Sequence, residues 1–222
     1  MSIHNNYLCF TNNPHSNVDN SLEIYRNAVA NANKKLNLVS RYSVENSLNR
    51  LIKESLIPLD WNRCLLSSPL IDIGSGAGIP GIPLRVAKPD LKITLLEANR
   101  RKVLFIKSII ETLKLQNSEA LNERAENICQ YAQYQAYFGT IVSRAVCSLS
   151  KLMEWGNVLL RPGGELIVWK GSSVNSELEG IDLTGWKDPE LLKKPNGLTL
   201  VRFEKRTAES GSLYIPEGNE CE

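Results

Sequence analysis

The sequence has few side chains that bind metals. Its two histidines, His4 and His15, lie near the start, and its five cysteines are scattered without a C-x-x-C pair. Zinc sites and disulfide frameworks use such residues at short, regular spacings. We therefore expect no metal site, and we expect the cysteines to stay reduced.

Long apolar stretches are also lacking. No run of the chain is long and apolar enough to span a membrane. The first residues do not combine a basic region with an apolar stretch and a small-residue cleavage site, as a secretory signal does. We therefore expect a cytoplasmic protein that makes no membrane contact.

A large excess of charge is missing as well. The formal net charge is only +2, which excludes a strongly basic, nonspecific nucleic-acid binder and leaves only local contacts with RNA. With 42% hydrophobic and 23% charged residues, the composition is that of an ordinary soluble protein. A chain of 222 residues is long enough for one α/β domain with a small appendage.

The segment 69–83 organises the chain. A short apolar run, 70–73, leads into Gly74, Gly76 and Gly78, and two prolines follow at the expected start of a helix. Glycine permits a sharp turn with positive φ and lets a ligand approach the backbone. Because proline suits the first helical turn, we predict a strand, a ligand-binding loop and a helix N-terminus whose amides face the ligand.

Two ligand classes use such loops, nicotinamide dinucleotides and S-adenosylmethionine. Read from Gly76, the loop satisfies G-x-G-x-x-G, but this glycine lies too far beyond the strand end at Ile73 for a phosphate turn. Read from Gly74, the third glycine position holds Ile79. Asp72 suits a cationic sulfonium better than a pyrophosphate. The pattern favours S-adenosylmethionine, while a dinucleotide or a purely structural loop stays open.

An acidic residue ends the second predicted strand. Glu97 closes the apolar segment 92–97, about 20 residues after the glycine loop, where nucleoside-binding βαβ units place a carboxylate on the ribose hydroxyls. A carboxylate suits a diol because it offers acceptor oxygens and no proton. The alternative is that Glu97 caps the next helix.

Periodicity predicts the remaining elements. We expect helices over 21–35, 43–57, 80–87, 100–115 and 149–160. We expect strands over 70–73, 92–97, 118–122, 138–145, 165–171 and, as an antiparallel edge, 198–203, with a tight turn at 161–164. Asp72, Glu97, Glu126 and Arg144 then share the carboxyl edge of the sheet, where ligands of open α/β sheets collect.

Composition divides the chain into four parts. Residues 1–20 are rich in asparagine and are expected to form a mobile leader, and residues 21–66 an N-terminal helical cap. Residues 67–206 form the main domain, and 207–222 a disordered acidic tail.

Several short motifs, taken in their order and spacing, resemble those of the bacterial 16S ribosomal RNA guanine-N7 methyltransferases, also called the glucose-inhibited division B family. The resemblance extends from about Asn37 to Gly171. The motifs are Asn37-Leu38, the loop 72–83, Leu95-Leu96-Glu97, Arg124-Ala125-Glu126, Ser143-Arg144-Ala145-Val146, Pro162-Gly163-Gly164 and Lys170-Gly171.

The resemblance implies a class I S-adenosylmethionine-dependent methyltransferase. Its Rossmann-like sheet would have seven strands, mostly parallel, with an antiparallel edge strand, and 67–206 would be the methyltransferase domain. S-adenosylmethionine would be the donor and a guanine N7 the acceptor. The partner would be 16S rRNA or the 30S subunit, and the protein itself would be a monomer.

The resemblance, added to the loop chemistry, also implies a set of site residues. Ala125 and Glu126 would flank the adenine, and Arg144 would reach the site from the fourth strand, where it holds the acceptor or pairs with Glu126 instead. The predicted cofactor-binding residues are Asp72, Gly74, Gly76, Gly78, Ile79, Glu97, Ala125, Glu126 and Arg144.

Departures from the family pattern leave alternatives open. The family's His-x-x-Asp-Ser in the second helix is here Leu51-Ile52-Lys53-Glu54-Ser55, and the tail is acidic where many members have a basic one. These changes allow a diverged methyltransferase acting on another RNA or a small molecule, or a noncatalytic ribosome-associated module. Cys147 lacks the preceding proline of a pyrimidine C5 enzyme, so we interpret it as a small buried side chain.

Overall fold

The computed structural model describes residues 17–39, 44–171 and 174–207. Its helices are α1 (Asn17–Leu36), α2 (Val44–Ser55), α3 (Ile57–Asp60), α4 (Gly81–Ala87), α5 (Arg100–Thr112), α6 (Ala125–Ile128), α7 (Leu149–Leu159) and α8 (Val174–Leu178). Its strands are β1 (Leu70–Ile73), β2 (Ile93–Leu96), β3 (Ser118–Leu121), β4 (Phe138–Arg144), β5 (Leu160–Lys170), β6 (Glu190–Lys193) and β7 (Thr199–Glu204).

The strands form one seven-stranded sheet in the order β3-β2-β1-β4-β5-β7-β6. The strands from β3 to β5 pair in parallel, whereas β7 pairs antiparallel with both β5 and β6. The predicted fold class, a mostly parallel seven-stranded sheet with an antiparallel edge, is therefore confirmed. In register, Ile73 lies opposite Leu96 on one side and Ser143 on the other, so the ends of β1, β2 and β4 are level.

Both faces of the sheet are covered, as the continuously apolar strands predict. One face packs against α1, α2, α4 and α5 through buried residues such as Leu48, Ile82 and Ile106. The other packs against α6, α7 and α8 through residues such as Leu152 and Val174. Among the described helices, none is both long and apolar enough to cross a membrane.

Several boundaries differ from the prediction. Helix α1 begins at Asn17 rather than Ser21, so the last residues of the predicted leader are helical. The rest of the leader, 1–16, and nearly all of the acidic tail, 208–222, lie outside the described residues. The boundary between cap and main domain at 66/67 remains a prediction.

The carboxy-terminal strands contain the largest corrections. The predicted turn at 161–164 lies within β5, which begins at Leu160, and the register with β4 shifts between Phe138 and Thr140 to accommodate it. The predicted edge strand is β7, but it lies inside the sheet, because the unpredicted strand β6 pairs with it and forms the edge. Strand β6 has only four residues, which alternate in exposure, and so short a segment gives no clear strand pattern in the sequence.

Two buried side chains join the helical cap to the functional edge of the sheet. The hydroxyl of Tyr25, in α1, donates to the backbone carbonyl of Ala77 in the glycine loop at 2.9 Å. The indole Nε1 of Trp169, in β5, donates to the carbonyl of Glu54 in α2 at 2.8 Å. Because Tyr25 is completely buried, its hydrogen bond fixes the loop against a helix that lies far away in sequence.

We predict that Tyr25→Phe lowers the free energy of unfolding by about 1–3 kcal/mol, because it leaves the buried Ala77 carbonyl without its donor. Urea denaturation measures this loss. The control is Tyr131→Phe, whose hydroxyl bonds Glu123 at the surface and whose loss is expected to stay within about 0.5 kcal/mol. Equal losses in the two variants would contradict the assigned role of Tyr25.

Candidate functional site

The loop after β1 has the backbone that its glycines predict. Gly74, Gly76 and Gly78 have φ values of +71°, +59° and +93°. A Cβ on Gly74 would lie 2.3 Å from Val146 Cγ2, and one on Gly78 would lie 2.6 Å from Ile82 Cγ1. At Gly76 a Cβ would meet only the Gly74 carbonyl oxygen, at 3.9 Å. Packing therefore excludes a side chain at Gly74 and Gly78, whereas the space beside Gly76 is open.

The amides at the start of α4 do not face a ligand, contrary to the prediction. The Gly81 N–H donates to Asp72 Oδ2 at 2.9 Å, and the Ile82 N–H donates to the Gly78 carbonyl at 2.7 Å. Pro80 precedes the first helical residue and has no N–H. The helix start thus holds the loop together from within.

Asp72 is the buried anchor of this loop. Its side chain is fully buried, Oδ2 accepts from Gly81, and Oδ1 has no partner among the described residues. Burial raises the pKa of Asp72 to about 7, although the Gly81 hydrogen bond lowers it and Glu97 adds a smaller rise. With no exposed surface, Asp72 shapes the loop from behind, and a direct contact with a ligand finds no support in this geometry.

Glu97 joins β2 to the glycine loop. Its Oε2 accepts from the Gly76 N–H at 2.9 Å, and its Oε1 accepts from the Asn99 N–H at 2.8 Å. The helix cap is Asn99, whose Oδ1 accepts from the Arg101 N–H at 2.9 Å, so the alternative that Glu97 caps α5 is wrong. Each carboxylate oxygen has a second lone pair, which leaves Glu97 able to accept from a diol.

A cavity of about 380 Å³ lies at the carboxyl ends of β1 and β2. Four predicted site residues line it, namely Gly74, Glu97, Ala125 and Glu126. Four others, Asp72, Gly76, Gly78 and Ile79, lie in or behind the loop and are not part of its wall. The cavity therefore combines a side-chain-free loop, one carboxylate from β2 and a third wall at the start of α6.

Sequence reasoning missed part of the wall. Val146, Cys147 and Trp155 also line the cavity, although the sequence predicts Cys147 to be an ordinary small buried side chain. It is half-buried, and burial raises the pKa of its thiol. Trp155 belongs to the buried face of α7 and is 6% exposed, and the sequence alone does not single it out. A helical pattern does not show which core residue ends at a cavity.

The loop that carries Cys147 is held by an unpredicted ion pair. Lys170 Nζ donates to the Cys147 carbonyl at 2.8 Å and to Glu177 Oε2 at 2.7 Å. The Leu149 N–H, at the start of α7, donates to the same Glu177 oxygen at 3.0 Å. The last residue of β5 and Glu177 of α8 therefore fix the cavity wall that follows β4.

Arg144 does not reach the cavity. Its Nη2 lies 2.5 Å from Glu54 Oε2 of α2, and its Nη1 is buried without a partner among the described residues. The alternative pairing with Glu126 is wrong, and the cofactor contact assigned to Arg144 finds no support in this geometry. The same carboxylate accepts from Asn196 Nδ2 at 2.9 Å. Arg144 therefore belongs to a second polar centre beside the cavity.

Within the described residues, no group of three or more His, Cys, Asp or Glu side chains could hold a metal ion. The chemistry that this edge supports is the binding of a nucleoside by Glu97 and an apolar wall.

Comparisons with known proteins identify the family to which the sequence is similar. A family model described as rRNA small subunit methyltransferase G matches residues 18–185. Ribosomal RNA small subunit methyltransferase G from Clostridium botulinum (strain ATCC 19397 / Type A) is 36% identical over 209 residues, which cover 88% of this chain and 85% of that protein. The protein of the same name from Mycoplasma capricolum is 32% identical over 218 residues, covering 94% and 91%.

Solved structures share the fold. The PH0226 protein from Pyrococcus horikoshii matches with a TM-score of 0.58 and 11% identity over 81% of this chain and 99% of that chain. The Escherichia coli protein yhhF, which is named as a methyltransferase, matches with a TM-score of 0.55 and 16% identity. The match covers 71% of this chain and 87% of that chain.

The buried carboxyl of Asp72 makes stability depend on pH. Because its pKa is about 7 when folded and near 3.8 when unfolded, the folded chain binds the additional proton between these values, and stability falls as pH rises. Between pH 5.5 and pH 8, we expect the free energy of unfolding of the wild-type protein to fall by about 2 kcal/mol more than that of the Asp72→Asn variant. Urea denaturation at both pH values measures the difference, and parallel losses would contradict it.

Proposed function

The chain belongs to the family described as rRNA small subunit methyltransferase G, and from this premise we propose that it transfers a methyl group from S-adenosylmethionine to N7 of a guanine in 16S rRNA. The observation that carries the proposal is the cavity at the ends of β1 and β2, which is lined by the loop, Glu97 and the 124–126 motif. The proposed setting is the cytoplasm, with the enzyme acting as a monomer on the 30S subunit.

S-adenosylmethionine is the methyl donor of this enzyme, and it supplies an electrophilic methyl group on a positively charged sulfur. The cavity wall suits a nucleoside, because one face is apolar and Glu97 offers acceptor lone pairs. We assign the ribose to Glu97, the adenine to Ala125 and Glu126, and the close backbone approach to Gly74. Asp72, Gly76, Gly78 and Ile79 act by shaping the loop.

Methylation of guanine N7 requires no general base. N7 carries a free lone pair and loses no proton on methylation, so this chain needs to align the acceptor rather than deprotonate it. Arg144 is our candidate for the acceptor side, since its planar guanidinium is suited to a guanine edge or a phosphate. Glu54 acts as its positioning residue by fixing one end of the guanidinium.

One departure from the family pattern is chemically mild. Where the resemblance places Asp-Ser in the second helix, this chain has Glu54-Ser55, and Glu54 still presents a carboxylate to Arg144. The acidic partner of the arginine is thus retained, with a side chain one methylene longer. This supports the rRNA acceptor over a diverged one.

We predict that Glu97→Gln weakens binding of S-adenosylhomocysteine roughly 10- to 100-fold, as expected for losing hydrogen bonds to a charged acceptor. The amide group would also direct its own N–H groups at the Gly76 or Asn99 backbone donor. Isothermal titration measures the loss. The exposed Glu111→Gln on α5 is the matched control, and an affinity of Glu97→Gln equal to that of the control would contradict the assignment.

The function itself is tested by incubating the enzyme with labelled S-adenosylmethionine and one of three acceptors. These are naked 16S rRNA, 30S subunits from cells lacking the enzyme, and a metabolite extract. We expect label at N7 of a single guanine in the rRNA, located by cleavage after borohydride and aniline treatment. Label on a metabolite would overturn the proposal, and bound cofactor without transfer to any acceptor would indicate a noncatalytic module.

A further inference from the structure

A second, larger cleft lies beside the cofactor cavity. It has a volume of about 620 Å³ and runs between α2 and the turn that connects β6 to β7. Basic side chains come from both walls, Arg50 and Lys53 from α2 and Lys194 from the turn. Nothing in the cofactor chemistry requires this cleft.

Of the residues that line the cleft, three are basic and one is acidic, and the acidic one already binds two side chains. Glu54 lies at the base, 8% exposed, and its carboxylate binds Arg144 and Asn196 at 2.5 and 2.9 Å. Arg50 Nε lies 3.9 Å from the same carboxylate, but its side chain is 60% exposed and its guanidinium has further donors. An anion in the cleft would therefore meet cations on both sides.

The end of β4 connects the cleft to the cofactor cavity. Arg144, the last residue of β4, pairs with the base of the cleft, and Val146, two positions later, lines the cofactor cavity. The cavity occupies the β1 and β2 side of the sheet edge, and the cleft lies beyond β5, where Lys170 is paired with Thr199 of β7. A polymer lying in the cleft would pass next to the place where the methyl group is transferred.

We infer that this cleft binds the phosphodiester backbone of the rRNA segment next to the methylated guanine. Arg50, Lys53 and Lys194 would contact phosphate oxygens, and the apolar Ile57 and Leu198 on the same walls would lie against sugars. The inference rests on the proposed function. It explains how a chain with a net charge of only +2 could hold RNA, through a local cluster placed beside the site.

An acidic protein segment is the competing occupant. The position of the cleft favours RNA, because a backbone-binding site is needed immediately beside the reacting base. A protein contact could lie anywhere on the surface.

The test uses the double variant Arg50→Gln/Lys194→Gln and a control double variant, Lys88→Gln/Lys107→Gln, with the same change in charge. Lys88 follows α4 and Lys107 lies on the exposed side of α5, and neither lines the cleft. Filter binding measures affinity for naked 16S rRNA and for 30S subunits over a series of salt concentrations. Titration with S-adenosylhomocysteine measures the cofactor site separately.

For the cleft variant we expect RNA affinity to fall roughly tenfold or more. We also expect the slope of log K against log salt to shrink by about 1.5, which corresponds to two lost phosphate contacts. Cofactor affinity should stay unchanged, and the control should keep the wild-type RNA affinity and slope.

Three results would overturn the inference. One is unchanged RNA binding by the cleft variant, and another is an equal loss in the control, which would mean that only total charge matters. The third is a loss confined to 30S subunits with naked rRNA binding intact, which would indicate a ribosomal protein. If the wild-type protein methylated a metabolite and bound neither RNA, the proposed function would fail, and the inference with it.

Discussion

The hydrogen bond from the Gly76 backbone to the Glu97 carboxylate determines the shape of the cofactor cavity. It joins the loop after β1 to the end of β2, two strands that the sheet already places side by side. Gly76 has no side chain of its own, and its N–H is bound by the carboxylate that follows the neighbouring strand. The same carboxylate lines the cavity. One side chain thus both fixes the loop and forms part of the cavity wall.

Glu54 joins segments in a similar way beside the cavity. Its backbone carbonyl accepts from Trp169 of β5, and its carboxylate binds Arg144 of β4 and Asn196 of the β6–β7 turn. Four segments that are distant in sequence meet at this residue. A buried charge is costly unless it is paired, so these contacts stabilise both the helical cap and the arginine beside the site.

Much of the fold could be predicted, because strong local patterns agree with the tertiary structure. Strand β1 was predicted with its exact bounds, and the glycine conformations followed from the need for positive φ. Of the site residues, Glu97 was found from its place at a strand end. Arg144 was assigned to the cofactor because sequence shows that a residue lies at an edge but not on which face of the sheet it projects. Its partner Glu54 lies 90 positions away, beyond the reach of any periodicity.

The β6–β7 turn supplies one wall of the cleft, yet it follows the segment 18–185 that the family model describes. The proposed RNA-binding wall therefore lies partly beyond the segment that the family model describes. Evolution could remodel this short hairpin without disturbing the glycine loop or Glu97. Substrate preference in such an architecture can drift while the methyl-donor chemistry is inherited intact.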